Sequence, residues 1–396
     1  MLDIPAERID WRAKGFWSPD ESRTVTEVVA GKPGIFDGAF TWPLLVVRRS
    51  AVEANIATMA AYCRRHRMEF APHAKTTMAP QLLDAQLDAG AWGLTVATPN
   101  QALILRKLGV PRVLIANQVL DRTALRWLAE QTAAGWEVHF QVDSIAGVRA
   151  AAEALGDTGR LRILVELGHA DGRTGCRTVD ELETVARAAA AVQRLEVAGV
   201  TGYEGQLGDV AGVDAFLDRL AGGVRRLAAA GLLPQRPIVS AGGSAWFDRV
   251  TERLAGAGLG RLILRSGASV THDDGLYRQK TPFNRIPAEG PLVAAIQMWA
   301  QIISTPEPGL ALAGMGKRDA PFDEGLPIVV EPASGLTVTK LNDHHTYLAV
   351  APDVQVTPGD LIRFGLSHPC TAFDKWREIP VVDDDNRVVD VLHTYF

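Results

Sequence analysis

The chain has 396 residues, 47% hydrophobic and 22% charged with 37 glycines, a globular composition that excludes a disordered chain and supplies material for two cores. Its 41 basic and 46 acidic residues give a net charge of -5, which argues against a nucleic-acid or anionic-membrane surface and for a small-molecule partner. Cys63, Cys176 and Cys370 are too few for a disulfide framework, and the charged N-terminal segment lacks the layout of a secretory signal. The longest apolar run, 291–304, contains Gln297 and Gln301 and is too short to span a bilayer, so a cytoplasmic location is expected.

Residues 44–47 read as a strand, and Ser50 with Glu53 has the spacing of a capping box opening the next helix. From about 50 to 275, short β-branched runs alternate with Ala/Leu-rich amphipathic stretches. Strands are predicted at 69–71, 94–97, 113–116, 138–142, 163–167, 197–202, 238–241 and 262–265. Between them fall helices at 80–89, 100–108, 122–133, 145–154, 179–190, 213–230 and 246–257. Eight strands separated by helices predict an α/β fold, a (β/α)8 barrel, with an open doubly wound sheet as the alternative because strand count does not prove closure.

After 276 the texture changes to alternating runs at 292–304, 310–313, 328–331, 336–341, 346–351, 361–364 and 388–394, separated by turn clusters. These predict a second, mainly β C-terminal domain that needs no helix. The expected division is a barrel over 50–275 and a β-domain from 1–49 plus 276–396.

FAPHAKTTM, residues 70–78, falls at the C-terminal end of the first predicted barrel strand, the face where such barrels carry their active sites. A lysine there, pointing into the mouth, has a desolvated amine and a lowered pKa, as Schiff-base formation requires. His73 faces the same side if the strand continues. Taken alone, a strand-end lysine is more often a solvated surface charge. VSAGGSAWF, residues 239–247, reads as strand, small-residue turn and helix. The backbone N–H groups of Gly242, Gly243 and Ser244 could form an anion site, or simply a tight turn. In SHPCTAFDKW, residues 367–376, an extended chain projects His368 and Cys370 to one side with Pro369 turned away. Imidazole plus thiolate favours Zn2+ over Mg2+ or Ca2+, and two ligands leave the open positions that a catalytic metal needs. A buried cysteine beside a surface histidine is the plainer reading.

PHAKTTM followed by APQLLDAQLDAGAWGLTVAT resembles the lysine segment of the D-threonine aldolase/D-serine dehydratase family, a branch of the alanine-racemase-like (fold-type III) pyridoxal 5′-phosphate (PLP) enzymes. The resemblance runs from about Trp42 to Trp376 with its motifs in order. It implies Lys75 as the Schiff-base lysine with His73 beside the cofactor, Arg173 in VELGHADGRTGCR reaching that cofactor, and Tyr203 in GVTGYEG facing its ring. It further implies phosphate contacts from Gly242, Gly243 and Ser244, and from Ser266 and Gly267 in ILRSGAS, where the family commonly has proline at 266 and tyrosine at 269. SHPCTAFDKW matches the C-terminal metal motif, with His368 and Cys370 as ligands of Zn2+, or of Mn2+ or Mg2+. The cysteine is more like the dehydratase branch, since an aspartate commonly stands there in the aldolases. LNDHHTYL points to His345 as an acid/base or outer group, with His344 adjoining it, and GMGKRD resembles a glycine-lysine turn with no assigned chemistry.

The resemblance therefore implies a dehydratase (ammonia-lyase) of β-hydroxy D-amino acids such as D-serine or D-threonine, giving a 2-oxo acid and ammonia. Lys75 would remove the Cα proton, and the metal would act on the β-hydroxyl. Retro-aldol cleavage is the alternative. A racemase would need a second acid/base, for which Tyr277 and Tyr347 are available, and would leave the metal motif idle. A non-catalytic PLP-binding protein would generally be the barrel alone. A homodimer is expected by resemblance.

Overall fold

The computed structural model describes residues 1–332 and 334–396. Contacts divide the chain into a unit of Met1–Asp3, Ala60–Lys75 and Gln86–Gly267 and a unit of Ile4–Met59, Thr76–Ala85 and Ala268–Phe396. The chain therefore passes between units more often than one cut at each end of 50–275 implies. The break after Lys75 falls within the FAPHAKTTM motif.

In the first unit eight parallel strands lie in chain order: β1 (Glu69–Phe70), β2 (Leu94–Val96), β3 (Arg112–Gln118), β4 (Glu137–Val142), β5 (Leu161–Leu167), β6 (Leu195–Gly202), β7 (Ile238–Ala241) and β8 (Arg261–Leu264). Each pairs with its sequence neighbour from β2 through β8, and β8 pairs with β1. The remaining seam joins β1 to β2: Trp92 N donates to Phe70 O at 2.8 Å, Thr95 N donates to Pro72 O at 3.0 Å, and His73 bridges to Thr95 in parallel register. These bonds close the barrel and dispose of the open-sheet alternative.

The helices between strands start where short polar side chains can satisfy unpaired N–H groups. Thr98, Asp121, Ser144, Thr178 and Asp209 each cap a helix, Thr178 reciprocally with Glu181. Within the barrel, alternation stacks the interior in layers. Ala71, Trp92, Leu114, Leu164, Ala198, Ile238 and Ile263 form the apolar layer. Two positions earlier along the strands lie the ion pairs Glu69–Arg261 at 2.6 Å, Arg112–Glu137 at 3.1 Å and Arg162–Glu196 at 3.3 Å. Two positions later from Ala71, Leu164 and Ile263 come His73, Glu166 and Arg265 at the C-terminal mouth.

The second unit is built on the twelve-residue strand Ile296–Glu307, which pairs antiparallel with Leu44–Arg48, Leu361–Gly365 and Leu310–Ala313. Its core includes Leu45, Val47, Met298, Phe364, Phe373 and Trp376. Two sequence expectations fail here. Ser50 lies inside the helix Arg49–Arg65, not at its cap, and its hydroxyl donates to Asp384 at 2.7 Å. The β-region also contains a short helix, Leu276–Lys280, whose first turn is held by the Asp273 carboxylate accepting from Gly275 N and Tyr277 N. No helix among the described residues is long and apolar enough to cross a membrane.

Candidate active site

Strand β1 ends at Phe70, so Lys75 does not extend a strand; it sits in a 3-10 turn, Ala74–Thr76, just past the His73–Thr95 bridge. Pro72, which lacks an N–H, interrupts the ladder. Lys75 is exposed. His73 holds its ring at the mouth with Nδ1 buried and without a partner among the described residues. Burial, then the charges of Lys75, Arg265 and Arg173, push this imidazole well below its ordinary pKa and keep it neutral.

Arg265, which the sequence reading missed, is the buried cation of this mouth. One of its N–H groups donates to Gly202 O at 2.5 Å, while Nε is buried without a partner among the described residues. Burial lowers its pKa against the opposing charges of Glu204 and Glu166. Glu166 accepts from Gln118 at 2.5 Å and from Thr174 at 3.2 Å, and burial raises its carboxyl above the usual range. Arg173 is exposed, with its guanidinium carbon 5.0 Å from the Tyr203 ring centroid and its backbone N–H on Gln206.

The Gly242–Ser244 turn differs from the expected open anion cup. Gly242 N and Gly243 N donate to the two oxygens of the fully buried Glu204 carboxylate, at 3.2 and 2.6 Å. The following helix starts only at Phe247, so these residues are not its first turn. Ser266 Oγ is 3.1 Å from both Gly242 O and Gly243 O, so its hydroxyl belongs to the tie between this turn and the Ser266–Gly267 segment. Gly242, with φ of +99°, sits where a side chain would meet Leu264, and Gly243 lies against the Tyr203 ring.

In the second unit the chain leaves Leu361–Gly365 and enters a 3-10 turn, Pro369–Thr371, through His368 in the left-handed region at φ 73°. His368 and Cys370 are thus not alternate residues of an extended segment, but the turn keeps them close enough for the thiol to raise the imidazole's pKa. His368 Nδ1 is 2.6 Å from Asp323 Oδ2, and Thr371 Oγ1 donates to Asp323 Oδ1 at 2.8 Å. His368 N donates to Asp273 at 3.0 Å. Burial opposes a charge on this ring, but its interactions with Cys370 and Asp323 outweigh it and raise the imidazole to about 9. Cys370 Sγ lies 3.4 Å from Thr76 Oγ1, the residue after Lys75 in the chain. No group of three or more His, Cys, Asp or Glu among the described residues is arranged to hold a metal. The residue types of His368 and Cys370 would suit a two-donor site: with Nδ1 engaged by a carboxylate, Nε2 would be the ring nitrogen left for a ligand bond.

His345 is exposed in the turn between Leu336–Leu341 and Thr346–Val350, while His344 Nδ1 stands 3.7 Å from the buried Asp319. Asp319 also takes Lys14 at 2.6 Å and Gly316 N at 2.8 Å, which gives the GMGKRD turn a structural part.

A closed eight-stranded barrel with a lysine at its C-terminal mouth, followed by a β-unit, defines an alanine-racemase-like class. The sequence agrees: residues 47–256 match the family described as "Alanine racemase, N-terminal domain" and residues 295–382 the one described as "Putative serine dehydratase domain". The chain belongs to the alanine-racemase-like, fold-type III family of PLP enzymes. It is 27% identical over 354 residues to a D-threonine aldolase of an Arthrobacter species, covering 86% of this chain and 89% of the relative. The crystal structure of D-threonine aldolase from Filomicrobium marinum superposes with a TM-score of 0.79 at 24% identity, covering 90% of this chain and 95% of that one. D-threo-3-hydroxyaspartate dehydratase from Delftia sp. HT23 gives a TM-score of 0.73 at 21% identity, covering 90% and 98%. These structural likenesses concern the fold.

Proposed function

We propose that this protein is a PLP- and divalent-metal-dependent lyase of β-hydroxy D-amino acids, and that its reaction is dehydration to a 2-oxo acid and ammonia. The observation that carries the reading is the His368–Cys370 pair, with the imidazole set by Asp323, in a chain of this family. The cofactor fits the barrel mouth: Lys75, Arg173 and Arg265 supply positive charge around His73, and Arg265 Nε and His73 Nδ1 are buried groups awaiting partners. When bound, PLP supplies an electron sink for negative charge at the substrate's Cα. Lys75 would hold the cofactor through its amine and is the group proposed to take the Cα proton. Arg265 would donate from Nε, Arg173 would balance the cofactor's negative charge, and Tyr203 would lie against its ring. Phosphate binding is proposed from the segments that the family resemblance points to, Gly242–Ser244 and Ser266–Gly267, with Glu204 and Ser266 bracing the turn. His368 and Cys370 would hold the metal, most suitably Zn2+, as a Lewis acid for the β-hydroxyl. His345 is proposed as an acid/base group from its motif alone. A cytoplasmic homodimer is part of the same reading and rests on the sequence.

Retro-aldol cleavage is the second reading, favoured by the aldolase relative. One incubation separates the two. D-threonine yields 2-oxobutanoate and ammonia by dehydration, and glycine and acetaldehyde by cleavage. Amino-acid, aldehyde and 2-oxo acid assays on D-serine and D-threonine reactions are expected to show dehydration. Equal glycine and aldehyde without ammonia would overturn it. Borohydride reduction and peptide mapping are expected to label Lys75, and label on another lysine would refute the cofactor assignment.

A further inference from the structure

Asp323 lies 45 residues before His368 in the sequence, in a segment with no recognisable motif. Its two carboxylate oxygens are divided: Oδ2 meets His368 Nδ1 at 2.6 Å, and Oδ1 accepts from Thr371 Oγ1 at 2.8 Å. A hydroxyl from the same turn as the imidazole thus fixes the carboxylate that fixes the ring. The backbone is held independently, since His368 N donates to Asp273 Oδ2, so the strained left-handed residue has both its main chain and its ring restrained.

We infer that Asp323 is a positioning residue for the metal ligand His368, an inference that rests on the metal reading proposed above. A carboxylate on Nδ1 keeps the proton on that nitrogen and makes Nε2 the basic one, which selects the tautomer and increases its donor strength. Thr371 restricts the carboxylate to one orientation, so the ring does not reorient when a cation arrives. His368 and Cys370 are only two protein donors, and a site with so few ligands depends more on each being set beforehand.

The test is metal binding by the PLP-loaded protein, read without activity. Metal content and the Zn2+ dissociation constant, from competition with a chromophoric chelator, are compared among wild type, H368A, C370A, D323N and D323A. Wild type is expected to hold one ion, with H368A and C370A losing it. D323A is expected to bind roughly 10- to 100-fold more weakly, as outer carboxylates on ligating histidines typically do. D323N should fall between, because an amide carbonyl still accepts from Nδ1–H but lacks the charge. The Co2+ form reports the same geometry through its ligand-field and thiolate bands, which should change in D323A although the denaturant midpoint of the metal-free protein is kept. Wild-type Zn2+ affinity in D323A overturns the role of Asp323 alone. Absence of metal from wild type, or retention by H368A and C370A, overturns the metal reading and this inference with it. If D323A does not fold, D323N and T371V decide: unchanged affinity in both removes the positioning role.

Discussion

At the scale of single residues, the barrel mouth is organised by buried charges that local sequence does not announce. Arg265 stands two residues beyond Ile263, so its inward direction follows from strand alternation, but its need for a partner shows only in the fold. Its buried Nε gives a direct prediction. Arg265→Met removes the donor, and the PLP dissociation constant should rise roughly tenfold or more, in keeping with about 1.5–3 kcal/mol for a hydrogen bond to a charged group. Arg265→Lys keeps a counter-charge for Glu204 and Glu166 while losing the planar fork, so it separates weaker binding from poorer folding. Absorbance titration with PLP checks both variants, and wild-type affinity in both would remove Arg265 from the cofactor site. Glu204 was likewise hidden: GVTGYEG gives no sign that this carboxylate reaches the amides of a turn 38 residues on.

At the scale of elements, the helices and strands were legible because their periodicities differ, and the errors cluster at their ends. Three failures show this. The strand before Lys75 ends at Phe70, just ahead of Pro72, the capping-box serine lies inside its helix and donates to Asp384, and His-x-Cys forms a turn. In the first and third a proline stands where the extended backbone ends, and in the second the helix starts before the serine, whose hydroxyl goes to a distant carboxylate. The helix Arg49–Arg65 shows how strongly distant partners can hold an element. The side chain of Asn55, fully buried, donates to Val293 O at 2.8 Å and Val270 O at 3.2 Å and accepts from Val293 N at 2.8 Å. Asn55→Ala would strand these backbone groups, at a cost of about 2–4 kcal/mol for several unpaired buried partners. Urea unfolding should show this loss as a lower midpoint, and a loss under about 1 kcal/mol would mean that water or a shifted backbone replaces the amide.

At the scale of the whole molecule, buried histidines tie folding to pH. Burial, then the charges of Arg162 and Arg261, hold His139 down at about 3, and burial with Arg278 holds His272 at about 4. An unfolded histidine titrates at about 6.5, so between these values the unfolded chain binds the proton that the folded chain refuses. The stability from each neutral histidine is therefore complete above pH 6.5 and lost as the pH falls, at about 1.4 kcal/mol per pH unit for a fully shifted group. His139→Asn should flatten the fall in unfolding free energy between about pH 6 and 4, measured by denaturant titration. An unchanged slope would mean that the native barrel admits the proton. The charge total of the chain could not foresee this, because it depends on which four of nine histidines, His73, His139, His272 and His393, burial holds below their ordinary pKa.

The sequence by itself determined the alternation that makes the barrel, the β-texture after it, and the short segments around Lys75 and His368 on which the proposed chemistry rests. Those features are periodic or local, so they survive in one dimension. Tertiary structure alone decided that β1 and β2 meet to close the barrel, that Glu204 takes the amides of Gly242 and Gly243, that Arg265 lacks a partner at Nε, and that Asp323 sets His368. Each of these follows from how chain segments far apart in sequence are brought together. It depends on the register and twist of the strands between them, which no short stretch of residues encodes.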